Sequence, residues 1–298
     1  MTKITIAYTT DANTLPQTLV SMVSVLKNAR KNDEVEFAVL YSRLEDKYCQ
    51  TLDNLQAVKN YHLRLLKVDG NIFDGFPVPE AASSESWFKC LLADLLPEED
   101  KVLYLDNDTI VRASLDELFK LEMDNTLIAG IENIEKSTSQ AERLMLTDNL
   151  FVNTDVVLMN LKQWRKEDFF ASLKTTVMTD HKIADVQDAL NKACDGRKYR
   201  LSPKYNYMAP AGRKTEPDYD DKALKEFAKA EENPIIVHFD CAKPAASKNK
   251  FAPEFIEDSK LVPAFDTMQK ESSQASAAVK QTDKTPWYKR VIKKLIKK

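Results

Sequence analysis

Glycine is scarce in this chain: only 5 of its 298 residues are Gly. A dinucleotide-binding GxGxxG turn or a P-loop needs several glycines so that the backbone can approach phosphate, and neither motif is present. A nucleotide bound here must have its phosphates neutralised by something other than a glycine cradle. Cysteine is scarce as well. Cys49, Cys90, Cys194 and Cys241 are widely spaced and form no CxxC pair, which argues against a zinc ribbon or a disulfide framework and fits a reducing compartment. The plain expectation is four small, buried or half-buried hydrophobes. No run approaches the roughly 20 apolar residues needed to span a bilayer, and the opening MTKITIAYTT lacks the long apolar stretch of a secretory leader. A cytoplasmic core enzyme is therefore expected. Charge of one sign is lacking too. With 43 basic against 46 acidic residues the net charge is -3, so the chain as a whole is no polyanion binder and no nucleic-acid partner is expected.

What the chain does contain is an ordinary folded composition, 43% hydrophobic and 30% charged, at a length that fits one large α/β domain or two small ones. Ile4–Ala7 reads as a buried strand and Leu15–Leu26 as a helix. Val35–Tyr41 reads as a strand, Leu44–Val58 as a helix and Tyr61–Val68 as a third strand. This β-α-β-α-β opening predicts a mostly parallel sheet covered by helices. Phe88–Leu96 reads as a helix stopped by Pro97, and Lys101–Leu105 as a strand. Ser114 with Glu117 reads as a capping box, and Thr126–Ile131 and Val156–Asn160 as further strands. Leu161–Trp164 leaves the last of these. Val186–Cys194 reads as a helix, and Ile235–Val237 as a late strand that delivers His238. No internal repeats are present.

The strand KVLYL runs directly into Asp106-Asn107-Asp108. In an open α/β sheet, ligands bind at the carboxyl ends of the strands. Two like charges placed there are costly unless a cation compensates. A hard divalent ion, Mn²⁺ or Mg²⁺, takes oxygen ligands and bridges carboxylates to substrate phosphates, which would answer the missing glycine cradle. The plainer alternative is a polar turn, where Asp is favoured by turn chemistry. A phosphatase with a DxDxT nucleophile motif is a rival, but Thr109 comes one position too early and the motif lies far from the N-terminus.

At KVLYLDNDTIVRASLDELF and VVLMNLKQWRK the sequence resembles the retaining family 8 glycosyltransferases, which include bacterial lipopolysaccharide galactosyl- and glucosyltransferases and glycogenin. The likeness runs from about Lys3 to about Pro244. It implies a GT-A fold, a Rossmann-like mixed α/β sheet, mostly parallel and flanked by helices, with Mn²⁺ (or Mg²⁺) as cofactor and a UDP-sugar donor. By resemblance, Thr9, Asp11 and Asn13 in TTDANTLP form a uridine-binding loop, although a strand-to-helix cap explains the same residues and both can hold. Lys89 stands where the family has Arg and would reach the donor's diphosphate or sugar; an exposed helix lysine is the alternative. Asp106 and Asp108, with Asn107 between them, match the DxD, and His238 matches a third metal ligand, although a lone His is more often structural. Asn153 matches an asparagine facing the sugar, Gln187 a glutamine near the anomeric carbon and Asp188 a residue fixing that loop. Lys243 matches a lysine on the phosphate.

The chain also departs from the family pattern. Asp155 replaces a glycine, Val186 replaces an acid although Asp185 is adjacent, and HFDCAKPA carries Asp240 and Cys241 where glycine is usual, with one residue fewer between His and Lys and no Trp. The nucleotide and metal half of the site matches; the sugar and acceptor half is altered. The implied chemistry is transfer with retention through an oxocarbenium-like transition state, by internal return with Gln187 stabilising the cationic sugar, or by a carboxylate nucleophile, for which Asp185 and Asp155 are the candidates. The alternative from another class is a membrane-anchored, non-catalytic UDP-sugar binding protein.

After Gln269 the composition turns rich in Ser, Ala, Gln and Lys. The expected organisation is a glycosyltransferase domain over 1–268, a flexible linker over 269–283 and a basic amphipathic C-terminal helical tail over 284–298. In that tail Trp287, Tyr288, Val291, Ile292, Leu295 and Ile296 are apolar, alternating in pairs with Lys289, Arg290, Lys293, Lys294, Lys297 and Lys298. A helix so patterned lies on an anionic membrane surface, each cation contributing about 1 kcal/mol. Placement on the inner face of the plasma membrane and a glycan or glycolipid acceptor follow as expectations.

Overall fold

The computed structural model describes residues 2–79, 83–133, 137–208, 221–239 and 244–272. In chain order these contain β1 (Lys3–Thr9), α1 (Leu15–Asn28), β2 (Glu34–Tyr41), α2 (Asp46–Asp53), β3 (His62–Lys67), α3 (Leu92–Leu95), β4 (Lys101–Leu105), β5 (Thr109–Val111), α4 (Asp116–Phe119) and β6 (Ile128–Glu132). Then follow α5 (Ser137–Leu144), β7 (Val152–Asn160), α6 (Leu161–Lys166), α7 (Phe169–Thr179), α8 (Val186–Ala193), β8 (Lys198–Arg200), β9 (Tyr207–Met208), α9 (Asp221–Glu232), β10 (Ile236–His238) and α10 (Ala252–Ser259).

The main sheet has seven strands in the order β3-β2-β1-β4-β7-β6-β8. β1 runs parallel to β2 and β4, β2 is parallel to β3, and β6 is parallel to β8; only β7 is reversed, antiparallel to both β4 and β6. This is the expected mixed, mostly parallel α/β sheet. The chain leaves β1 toward β2 and β3, then crosses back to set β4 on the other side of β1. Strand order therefore reverses between β1 and β4, and their carboxyl ends are where an open α/β sheet binds ligands. Reversal of β7 brings its amino end to that same rim, with Val156 paired to Leu105. Between β6 and β7 the register shifts at Gly130/Glu132. A Cβ on Gly130 would come within 2.9 Å of the Asn153 carbonyl oxygen, so only glycine lets the two strands approach there.

Each face of the sheet carries a core. On one face Ile4, Ile6 and Tyr8 of β1 meet Leu15, Leu19, Met22 and Leu26, one stripe of α1 at helical spacing, together with Phe255 of α10. On the other, Ala7 and Tyr104 meet Trp87, Phe88, Trp164, Phe169 and Leu190. Pro16 sits in the first turn of α1, where no amide partner is lost. A second sheet, β5-β10-β9, stands beside the first. Of the cysteines, Cys90 and Cys194 are buried and Cys49 is half-buried, all free thiols.

Several boundaries differ from expectation. The Phe88–Leu96 helix is mostly a 3₁₀ segment, Ser84–Leu91, that runs into the short α3. The Leu44–Val58 helix is α2 followed by a 3₁₀ turn, Asn54–Ala57. β7 begins four residues earlier than Val156 and so takes in Asn153 and Asp155. The Ser114 capping box does not form: Leu115 occupies the cap position of α4, and Ser114 Oγ instead accepts from the Asp116 amide at 3.2 Å. Residues 265–272 are helical, so helix continues past the expected start of the linker, and Tyr48 Oη donates to Glu271 Oε2 at 2.8 Å. The remainder of the linker and the basic tail, 273–298, lie outside the described residues. No helix among the described residues is long and apolar enough to cross a membrane.

Candidate active site

β4 ends at Leu105, and the next three residues turn into β5. β5 pairs with β10, so Thr109 lies opposite His238. This pairing brings the acidic turn and the imidazole together. His238 Nε2 stands 3.1 Å from Asp108 Oδ1 and 4.0 Å from Asp106 Oδ2, and one ligand atom from each of the three residues fits within 4.8 Å of the others. The Phe239 amide donates to the Asp108 carbonyl at 3.0 Å, the Asp106 amide to the Asp155 carbonyl at 2.8 Å and Thr109 Oγ1 to the Asp106 carbonyl at 2.8 Å. The turn is thus fixed through its backbone.

α1 supplies the rest of the support. β5 gives one edge to β10; on its other edge, among the described residues, no strand pairs with it, and polar side chains of α1 line it at helical spacing. Thr18 Oγ1 donates to Asn107 Oδ1 at 2.8 Å, and Ser21 Oγ and Thr109 Oγ1 lie 2.9 Å apart. Ser24 Oγ accepts from the Val111 amide at 2.8 Å, and Asn28 Nδ2 donates to the Val111 carbonyl at 2.9 Å. Side chains of α1 thereby substitute for a missing strand. Residue-by-residue reading of the chain missed this; the signal was the stripe Thr18, Ser21, Ser24, Asn28 inside an otherwise apolar helix.

The electrostatics of the cluster call for a cation. Burial, then the charges of Asp155 and Asp108, raise the Asp106 carboxyl to about 6, against the opposing pull of His238 and Lys89. His238 is only 2% exposed. Burial is the largest single influence on it and pulls its pKa down. The charge and hydrogen bond of Asp108, helped by Asp155 and Asp106, outweigh that and raise it to about 9. Two carboxylates and an imidazole nitrogen suit a hard or borderline divalent ion, and a cation among them would offset both the burial and the like-charge repulsion that raise the Asp106 carboxyl. The donor set fits a metal; the His238 Nδ1, also buried, has no hydrogen-bond partner among the described residues.

Thr9 and Asp11 lie at the carboxyl end of β1 and just beyond it. Asp11 closes the turn that precedes α1, whose cap residue is Thr14: its Oδ1 accepts from the amides of Asn13 (2.9 Å) and Thr14 (2.8 Å), and its Oδ2 accepts from Asn13 Nδ2 (3.0 Å). Thr9 is buried at the end of β1. A cavity of about 790 Å³ lies beside this loop at the carboxyl ends of β2 and β3, lined by Ser42, Lys67, Asn71, Glu85 and Phe88 among others. Burial raises the Glu85 carboxyl, and the charge of Asp11 adds to the shift against the hydrogen bond from Ser42.

Lys89 is no exposed helix lysine. It is 2% exposed, donates to the Thr154 carbonyl at 3.0 Å, lies 3.9 Å above the Tyr104 ring and is 3.9 Å from Asp155 Oδ1. Asn153 is buried: its Oδ1 accepts from Asn206 Nδ2 and from the Asp155 amide, each at 2.9 Å, and its Nδ2 donates to Asp155 Oδ2 at 3.1 Å. Gln187 Oε1 accepts from the Thr154 amide at 3.2 Å, which ties the start of α8 to β7. Asp185 caps α8 by accepting from the Asp188 amide at 2.8 Å, and burial raises its carboxyl. Asp188 is buried and faces away into structure, accepting from the Ala184 amide at 2.8 Å and pairing with Arg143. Asp240, Cys241 and Lys243 lie outside the described residues.

The family model for glycosyl transferase family 8 matches residues 5–246. General stress protein A of Bacillus subtilis (strain 168) is 21% identical over 224 residues, 73% of this chain and 78% of that protein. Lipopolysaccharide 1,2-glucosyltransferase of Escherichia coli (strain K12) is 22% identical over 244 residues, 79% of this chain and 70% of that protein. The chain spans less of other relatives, 62% and 43% of two glycosyltransferases it matches. Among solved structures, galactosyltransferase LgtC in complex with donor and acceptor sugar analogs superposes with a TM-score of 0.74 at 24% identity, covering 87% of this chain and 96% of that one. That likeness shows the GT-A fold.

Proposed function

Because the chain belongs to glycosyl transferase family 8 and is a glycosyltransferase, we propose that it moves a hexose, galactose or glucose, from a UDP-sugar to a cell-envelope glycan such as lipopolysaccharide, with retention at the anomeric carbon. The observation that carries this reading is the convergence of Asp106, Asp108 and His238 within 4.8 Å at the rim where β1 and β4 diverge. These three residues would hold Mn²⁺ or Mg²⁺. A divalent ion bound there supplies charge neutralisation for a diphosphate and so makes UDP a better leaving group.

The chain's own residues do the rest. Asp11, Asn13 and Thr9 bind the nucleoside beside the 790 Å³ cavity, and Lys243 reaches the phosphates. Lys89 lends positive potential from beneath Asp155. Asn153 and Gln187 face the sugar, both held by hydrogen bonds to β7 or its neighbours that fix them before substrate arrives. As the bond from C1 to the phosphate oxygen breaks, Gln187 stabilises the cationic sugar; the acceptor hydroxyl adds to C1 on the face that UDP leaves and passes its proton to the departing diphosphate. Asp185 is committed to capping α8, which favours this internal return over attack by that carboxylate. The acceptor belongs to the same class as that named for the Escherichia coli lipopolysaccharide glucosyltransferase, and the basic tail 284–298 would hold the enzyme on the anionic inner face of the plasma membrane.

The test is release of UDP from UDP-galactose and UDP-glucose with and without Mn²⁺, with Asp108→Ala alongside. The expected result is metal-dependent release that Asp108→Ala abolishes. Release indifferent to metal and to Asp108 would overturn the reading. Removing residues 284–298 is expected to free the protein from anionic liposomes with UDP affinity unchanged; undiminished liposome binding would remove the membrane assignment.

A further inference from the structure

Asp155 is a third carboxylate beside the Asp106, Asp108 and His238 cluster, and it stands outside that group of ligand atoms. It sits on β7 directly across from the acidic turn: its carbonyl accepts the Asp106 amide at 2.8 Å, one residue beyond the Leu105–Val156 pair. Yet its carboxylate is not among the three residues whose ligand atoms fit within 4.8 Å of one another, so it is not placed to share their ion. It is also held firmly. Asn153 Nδ2 donates to its Oδ2 at 3.1 Å, its own amide donates to Asn153 Oδ1 at 2.9 Å, and Asn153 is in turn pinned by Asn206. The buried ammonium of Lys89 stands 3.9 Å behind Oδ1. The side chain remains 29% exposed, so solvent or a ligand can reach it at the carboxyl end of β4.

A carboxylate in this position repels any anion that approaches it. The diphosphate must therefore lie on the side of Asp106, Asp108 and His238, and what comes to rest against Asp155 must be a neutral hydrogen-bond donor. The part of a nucleotide sugar that meets this description is the hexose, whose hydroxyls donate readily to an ionised oxygen. Gln187, expected to face the sugar, is tied to the Thr154 amide, the residue immediately before Asp155. We infer that Asp155 reads the hydroxyls of the transferred sugar and rejects donors whose sugar carries a carboxylate. This rests on the UDP-sugar reading above and deepens it: the donor is a neutral hexose, and uronic acid donors are excluded by charge. Asp155 touches the sugar and not the nucleotide, so its effect is separable from UDP binding.

The experiment compares affinities by calorimetry in the presence of Mn²⁺, for UDP, UDP-galactose, UDP-glucose and UDP-glucuronate, using the full chain and its Asp155→Asn and Asp155→Glu variants. With Asp155→Asn, UDP should bind within about twofold of wild type, while the better UDP-hexose weakens by about tenfold or more, the size of one charge-assisted hydrogen bond. Preference for that hexose over UDP-glucuronate should narrow by about tenfold or more as the like-charge repulsion disappears. Asp155→Glu, which keeps the charge, should keep the rejection of UDP-glucuronate. Unchanged selectivity in Asp155→Asn with intact UDP binding would overturn the assignment, as would equal losses for UDP and UDP-hexose, which would place the residue at the diphosphate. A wild-type chain with no Mn²⁺-dependent affinity for UDP is a different failure, that of the donor reading itself.

Discussion

Ser24→Ala is the most informative single change outside the acidic cluster, because Ser24 touches no ligand yet supports the turn that would hold one. β5 is an edge strand whose outer edge is met by α1 side chains. Ser24 Oγ accepts the Val111 amide at 2.8 Å and donates to the Ser21 carbonyl at 2.6 Å, with Ser24 fully buried. Alanine removes only the hydroxyl and leaves the Val111 amide in the interior without that acceptor, which costs about 1–3 kcal/mol. For a domain of this size each kcal/mol lowers the melting temperature by about 2–4 °C. The loss is local: β5 should loosen from α1 while its pairing with β10 persists, so the Val111 amide should exchange with solvent faster and the Asp106–Asp108 turn should lose its fixed aim. Thermal melting, amide exchange at Val111 and Mn²⁺-dependent UDP affinity measure the three consequences. A variant with wild-type melting temperature and a still-protected Val111 amide would refute the claim that α1 hydroxyls stand in for a strand.

Three further outcomes are expected. Gly130→Ala places a Cβ within 2.9 Å of the Asn153 carbonyl oxygen and 3.4 Å of Val152 Cβ; denaturant titration should show a loss of about 1–3 kcal/mol, and UDP-hexose affinity should fall as Asn153 shifts. Arg143→Ala removes the ion-pair partner of the buried Asp188. Because Arg143 is itself partly exposed, the cost should be roughly 1–3 kcal/mol, below that of a fully buried pair, and turnover should drop more than UDP affinity. Hydrogen bonds from Lys120 and Thr2, with the charge of Arg30, hold the Asp116 carboxyl down at about 2 from its usual 3.8. Its folded pKa lies below its unfolded value, so its contribution is present above pH 3.8 and is lost as pH falls toward 2; urea titrations across that range should show a shallower acid loss for Asp116→Asn.

The fold was legible where local pattern and tertiary demand agreed. The first two strands are apolar runs because parallel strands in a doubly covered sheet are buried on both faces, the edge strand β3 is half-exposed and shows only alternation, and α1 announces itself by Leu15, Leu19, Met22 and Leu26. β8 and β9 were not legible. Lys198–Arg200 is polar and three residues long, and exists as a strand only because Ile128–Gly130 offers it an edge. Likewise β5 is too short to carry a periodic signal; its conformation is imposed from both sides, by β10 and by α1. α7 was missed for another reason: FFASLKTTVMT buries only Phe169, Leu173 and Val177, and its β-branched threonines do not read as helix formers.

The site was legible in its residue types more than in its wiring. Asp106, Asp108 and His238 could be named from sequence, but 130 positions separate the acidic turn from the imidazole, and only the β5–β10 pairing makes them neighbours. Asp188 shows the opposite limit. It follows Gln187 and carries a charge, yet the start of α8 turns its carboxylate back onto Ala184 and Arg143, while Gln187 alone points to β7. Asp155 lay in plain view as a departure from a family pattern, and a pattern registers such a residue only as a mismatch. Its meaning comes from a buried ammonium on one side and partial exposure on the other. A charge balanced on one side and bare on the other is a recognition surface, and that asymmetry exists only once the chain has folded.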